Sequence, residues 1–318
     1  MSTEFQISYT LDVLYYIGCM IDEEKRNLYD EDITRFMPML GTVSDKYLEK
    51  LKKINQRNPR FIDYIASMLI VNDHLHDWKT ADLLDRHKRL VVMFKKTKQF
   101  ENASKDLKKF INSNFSKSIA LIKTIATDLE RLEFKKSWLE EKLALIKERT
   151  AENQQVLSEF NIAHHINGWV EDKKIPESGQ WYMLAYSGAK YKVLLTEFSV
   201  TSPVTSANQL FDSVVSYALK TDFYRKFCKT LKPTPTLKAE FKGHELYKSF
   251  KGISGYADMC LKLALKVYLM EGCSKTGLVL PADYPFAADL LAYLHQFEKP
   301  ADVAVGSYVI EMMKYFSR

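Results

Sequence analysis

Apolar positions recur every three to four residues through the first half of the chain, the period of a helix with one buried face. Ile7, Leu11, Leu14, Gly18 and Ile21 form one such stripe and predict a helix over 5–24. Shorter helices are predicted over 31–39 and 44–54. The stretch 59–74 is more apolar, with Phe61, Ile62, Ile65, Leu69 and Ile70, and reads as a core helix. The pattern continues over 83–95 and 100–111, then in longer runs over 115–131 and 137–160. In the last run Ser137 and Glu140 have capping-box spacing, and Leu139, Leu143 and Ile146 follow at helical intervals.

The pattern changes near Gly168. Residues 174–179 are loop chemistry, with Pro176, Ser178 and Gly179. The stretches 180–186 and 191–200 are rich in aromatic and β-branched residues and predict two strands joined through Ser187 and Gly188. A helix follows over 206–219. Pro203 turns the chain ahead of it, and Ser206 with Gln209 forms a capping box. Leu210, Val214 and Ala218 share one face, with Phe211, Val215 and Leu219 beside it. These residues are expected to pack on the sheet and on Met259, Leu263 and Val267 of a later helix. A short basic helix is predicted over 222–231, stopped by Pro233 and Pro235. A long helix over 256–271 is closed by Gly272, and helices over 285–296 and 302–316 end the chain. The expected fold class is mainly α with a small β-sheet, an α+β arrangement. It comprises a helical N-terminal domain over 1–165 and a C-terminal domain over 166–318 that holds the sheet and its helices.

Composition narrows the class. The chain has 318 residues, of which 46% are hydrophobic and 27% charged, the balance of a soluble globular protein. No apolar run is long enough to span a bilayer, so no membrane contact is expected. The opening MSTEFQISYTLD lacks a basic leader and is interrupted by Asp12, which argues against a secretory signal. Cys19, Cys228, Cys260 and Cys273 lack C-x-x-C spacing and read as reduced thiols of a cytoplasmic protein. The net charge of +6 is mild, and acids and lysines interleave along most of the chain. That is not a nucleic-acid signature. Two basic clusters stand out: Lys95, Lys96, Lys98, Lys105, Lys108 and Lys109, and Tyr224–Arg225–Lys226–Phe227 with Lys229 and Lys232. Either could meet an anionic partner. Glu101, Asp106 and Asp222 interleave with them, so a solvated face is the simpler reading.

The helix over 206–219 carries the most suggestive spacing. Asp212 and Ser216 lie four apart, as the two zinc-binding histidines do on an H-E-x-x-H helix, and Ser213 falls where the general base would be. An amphipathic helix with two tolerated polar residues accounts for the same pattern. Other candidates are less coherent. His74 and His76, with Asp73 and Asp77, are two apart and diverge on a helix. His164 and His165 are adjacent and diverge too. His244 and Glu245 begin an H-E pair, but Lys248 stands where the second histidine would be. No nucleophile elbow, P-loop or dinucleotide fingerprint is present.

The order of a helical half, a small sheet, a helix starting at Ser206 and a second helix starting at Tyr256 is similar to bacterial zincin-like proteins of the gluzincin plan. The opening ISYTLDVLYYIGCMIDEEKRNLYDEDITRF, and the stretch DLERLEFKKSWLEEKLALIKERTAENQQVLSEF before the sheet, resemble the same group. The resemblance implies a metallopeptidase fold with H-E-x-x-H on the first of those helices and a glutamate ligand on the second. Here the histidine positions hold Asp212 and Ser216, the glutamate position holds Ser213, and the later helix offers Asp258 near its start and Glu271 at its end. The resemblance therefore implies the fold without the peptidase activity. The expected protein has no catalytic or metal residues and no cofactor. It has a binding or scaffolding role, with a protein or peptide partner, through a cleft between that helix and the sheet. A polar network from Asp212 to Ser216 and to Tyr256 or Lys262 is expected where the metal would sit. Two alternatives remain open: a metal-dependent hydrolase drawing on His164, His165 and His244, and an anion- or nucleic-acid-binding protein using the lysine clusters.

Overall fold

The computed structural model describes residues 4–71, 88, 89, 91, 92, 105–159, 161–171, 174, 175, 180–188, 192, 193, 199–201, 207–271 and 278–318. The chain divides into two units. The first comprises Met1–Gln155 and Ser178–Ser206, the second Val156–Glu177 and Ala207–Arg318. This corrects the expected boundary at 165: the strands belong to the N-terminal unit, while the segment before them belongs with the C-terminal helices.

The first unit explains the correction. β1 (Glu4–Gln6) precedes α1 (Tyr9–Met20), so the first helix starts later than its apolar stripe suggests. Ser8 caps it, its Oγ accepting from the Leu11 N–H at 3.3 Å. Glu4, Phe5 and Gln6 pair in parallel with Gln180, Trp181 and Tyr182 of β2 (Gln180–Met183), which ties the strand region to the N-terminus. The four-stranded sheet has the order β1-β2-β4-β3, with β3 (Lys192–Val193) and β4 (Ser199–Thr201). β2 and β4 are parallel, and β3 and β4 antiparallel. The second of the two expected strands, 191–200, is thus two strands, β3 and the start of β4, and β2 pairs with β4 in parallel. The turn at Ser187–Gly188 is real, with Gly188 at a φ of 87° that favours glycine, but β2 takes β1 and β4 as its neighbours.

Around the sheet stand α2 (Glu23–Leu28), α3 (Asp30–Phe36), α4 (Thr42–Arg57), α5 (Phe61–Val71), α6 (Lys105–Lys109), α7 (Phe115–Arg131), α8 (Phe134–Ser137) and α9 (Leu143–Glu159). Apolar residues of α1, α3, α4, α5, α7, α8 and α9 meet in one core. It includes Leu11, Leu14, Ile17, Phe61, Ile65, Leu69, Ile119, Ile122, Leu129 and Phe134, with Met183, Leu184 and Tyr186 from the sheet side. α1 is buried on all sides, as its lack of a polar face requires.

Asp12 lies in the first turn of α1 and is fully buried. Its Oδ2 accepts from the Trp138 indole N–H at 2.9 Å and its Oδ1 from the Tyr186 backbone N–H at 3.2 Å. Burial pushes its carboxyl up to about 7, although the donors from Trp138, Tyr186 and Ala185 all pull it down. Trp138 opens a π-helical turn, Trp138–Lys142, between α8 and α9. Ser137 is not a cap: it is already helical, and its Oγ accepts from Arg35 Nη1 at 3.2 Å. The run starts one turn earlier, at Phe134, behind Glu133 with a φ of 59°.

Among its described residues the regular elements of the second unit are all helices, joined by loops. It holds α10 (Ile162–Asn167), α11 (Ala207–Leu219), α12 (Phe223–Cys228), α13 (Pro235–Gly243), α14 (Ile253–Glu271), α15 (Pro285–Gln296) and α16 (Val305–Tyr315). The Asn167 side chain holds the Ile175 backbone at both ends, donating to its carbonyl and accepting from its N–H at 2.7 Å each. The prolines at 233 and 235, which end the preceding basic helix, also start a new one, α13. Thr234 caps it, accepting from the Leu237 N–H at 3.2 Å, and Pro235 occupies the first helical position, where its missing N–H costs nothing. α14 packs against α11, α12 and α15. Among the described residues no helix is long and apolar enough to cross a membrane.

Candidate functional site

The sequence places its candidate site on α11 and α14. Leu210, Phe211, Val214, Val215, Ala218 and Leu219 are buried, as the helical spacing requires. α11 belongs to the second unit and the strands to the first, so the pairing of this helix with the sheet inside one domain does not hold. The expected face of α14 holds in part: Val267 is buried and Leu263 half-buried, but Met259 is 41% exposed, and Tyr256, Ala257, Cys260, Leu261, Ala264 and Leu265 are buried. A shift of one position turns a helix by about 100°, enough to move Met259 out of the seam.

Asp212 sits at the edge of this packing and is half-buried; Ser213 is half-buried and Ser216 exposed. The Asp212 carboxylate forms an ion pair with Lys266 of α14. A bridge from Asp212 to α14 therefore exists, but its cation is Lys266 and not Tyr256 or Lys262. Lys262 instead pairs with Asp258 one turn earlier on its own helix, at 2.7 Å. Burial pushes the Asp258 carboxyl up from its ordinary range, and Lys262 draws it part of the way back. Asp258, Lys262 and Lys266 lie four apart, so α14 presents one charged stripe beside α11 and α12.

These residues do not fit a zinc ion. An ammonium already occupies the Asp212 carboxylate, Ser216 faces solvent, and Asp258 is taken by Lys262. Zinc takes imidazole, thiolate or free carboxylate, and hydroxyls substitute poorly. Among the described residues no group of three His, Cys, Asp or Glu could hold a metal ion.

The remaining candidates are placed as follows. His74 and His76, with Asp73 and Asp77, lie outside the described residues, as do Lys95, Lys96, Lys98, Cys273, Ser206 and Gly272. His164 and His165 are exposed neighbours on α10, their ring centres 5.9 Å apart. Partial burial and the neighbouring His164 lower the pKa of His165. His244 is buried at the end of α13 among Phe250, Tyr256 and Tyr284. Its Nδ1 accepts from the Leu246 N–H at 3.0 Å, and its Nε2 lies 3.4 Å from Asp283. Cys19, Cys228 and Cys260 are buried and form no disulfide. Burial pushes Cys228 and Cys260 up to about 12, far from the thiolate a nucleophile needs.

Sequence reasoning did not anticipate a cavity of about 560 Å³ within the second unit. The loop after α10, helix α12 and the segment leading into α16 line this open groove. Val170, Phe223, Phe227 and Ile310 give it an apolar floor, and Lys174, Lys226, Lys299 and Glu171 stand around it. The one signal in the sequence was the basic cluster at 224–232, whose Lys226 lies on this rim. The lysines that complete the rim come from segments far away in the chain.

No family model, curated protein or solved structure matches the chain.

Proposed function

We propose that the chain is a non-catalytic binding or scaffolding protein of the cytoplasm, acting on a protein or peptide partner. In this reading its second unit is a zincin-like domain in which the metal has been replaced by an ion pair. The observation that supports it is the Asp212–Lys266 bridge between α11 and α14. A fixed ammonium on the carboxylate supplies the positive charge that a metal would bring to the junction of two such helices. It supplies neither an open coordination position nor an activated water, and those are what metal-assisted peptide hydrolysis requires.

Elemental analysis of protein purified without added metal tests this reading. The expected result is no stoichiometric zinc after dialysis and no cleavage of a generic peptide substrate. Near-unit zinc that survives dialysis, or cleavage that chelator removes, would overturn it and favour a hydrolase drawing on His164, His165 or His244.

A further inference from the structure

We propose that the cavity beside the start of α16 is a binding site for a small phosphate monoester carried on an aromatic or aliphatic body. Its volume of about 560 Å³ lies within the range of small-molecule pockets. The charge of its lining decides the ligand class. Lys174, Lys226 and Lys299 face one acid, Glu171, leaving an excess of two positive charges. A phosphate monoester carries about −1.5 to −2 at neutral pH and matches that excess.

The lysines are held in place. Lys226 Nζ lies 4.4 Å from the Phe223 ring centre and 4.8 Å from that of Phe227, with Glu171 at 3.4 Å. Lys299 donates to the carbonyls of Pro300 at 3.1 Å and Val303 at 2.9 Å, which fixes its ammonium just ahead of α16 and leaves a third N–H for a ligand. Beside it, Ala304 caps α16 with no side-chain hydrogen bond, so the first-turn N–H groups of Val305, Gly306 and Ser307 have no capping side chain. The lysines stand on an exposed rim, with Lys226 paired to Glu171, and the helix end adds fixed donors on the same side.

The apolar part of the ligand has its own place. Phe223 and Val170 are buried in the floor. A Cβ on Gly306 would lie 2.6 Å from Phe227 Cζ, so the ring reaches the first turn of α16 because residue 306 has no side chain. A ligand with only the anion would use half of this surface. This site shares no residue with the Asp212–Lys266 bridge and stands or falls without it.

Calorimetric titration of the full chain at low salt, with phenyl phosphate, inorganic phosphate and phenol as separate probes, tests the proposal. Phenyl phosphate should bind with unit stoichiometry, inorganic phosphate about tenfold or more weakly, and phenol without measurable heat. K226M and K299M should each weaken phenyl phosphate about tenfold, and G306A should weaken it by displacing Phe227. Amide chemical shifts read the site without any variant: phenyl phosphate should move Val305, Gly306 and Ser307. No heat at millimolar phenyl phosphate would overturn the proposal. So would equal affinity in the K226M/K299M double variant, or shifts confined to other parts of the chain.

Discussion

Asp12 in the first unit and Asp212 in the second are both helical acids beside buried apolar residues, and their surroundings satisfy them in opposite ways. Asp12 has no exposure and no cation: its partners are an indole N–H and backbone N–H groups that other elements hold rigidly. Asp212 keeps over a third of its side-chain surface in water and has a lysine. A dry site must supply donors from fixed backbone and ring groups, because an unpartnered carboxylate there would cost several kcal/mol. A half-wet site can use a flexible ammonium, because water covers whatever the pair leaves unsatisfied. The first arrangement couples stability to pH, and the second contributes little to stability.

The largest effect expected from breaking either region is at neither acid. Val214 is fully buried on α11 beside Asp212, and Val214→Asp would place there a charge with neither donors nor a lysine. It should cost about 3 kcal/mol or more, read as a lowered thermal midpoint. An unchanged midpoint would show that α11 packs more loosely than its burial indicates.

Asp12→Ala should come next, at about 2–3 kcal/mol, because it leaves the Trp138 indole N–H and the Tyr186 N–H buried without an acceptor. Denaturant unfolding measures it. A loss below about 0.5 kcal/mol would mean that these donors find other partners, and would remove the contrast with Asp212.

The pH response separates the two acids more sharply. Burial raises Asp12 from an ordinary carboxylate value to about 7 in the folded chain. From about pH 4 to pH 7 the folded state therefore keeps a proton that the unfolded state has released. The Asp12 contribution is fully present below that window and is lost as pH rises through it. Thermal midpoints of wild type and Asp12→Asn over pH 4 to 8 check the sign: the difference between them should shrink as pH rises. A difference that grows with pH would show that the donors outweigh desolvation and keep Asp12 ionised.

The smallest effect belongs to the ion pair. Asp212→Ala should cost about 1 kcal/mol or less, since the pair is partly solvated and screened. A double-mutant cycle with Lys266→Met isolates the coupling. A coupling above about 2 kcal/mol would place Asp212 in the same class as Asp12, and none would make the bridge incidental.

Much of the helical architecture was legible from periodicity alone. The helices at Phe115–Arg131 and Pro285–Gln296 fall where the apolar stripes put them. A stripe defines a helix through contacts within one or two turns, so its signal is local. α13 was missed although Thr234 and Pro235 are a start signal, because two prolines close together were read as a turn. Of the candidate site, the apolar face of α11 was legible, and so was the presence of a polar tie at Asp212. The partner Lys266 was not, because the rotation of α14 decides which lysine reaches across, and a shift of about 100° per residue leaves several candidates open.

By itself the sequence determined a mainly helical chain, a short strand-forming interval between 180 and 201, and a helix with a buried apolar face and an acid at its edge. Those properties follow from the side chains of neighbouring residues. Only the tertiary structure decided that β1 lies against β2, that the strands belong with the N-terminal half, and that Trp138 reaches Asp12. The same holds for Lys226 and Lys299 lining one cavity. Each of these joins residues more than seventy positions apart. Such pairings are selected by the burial and hydrogen bonding of the assembled unit, for which no local pattern carries the information.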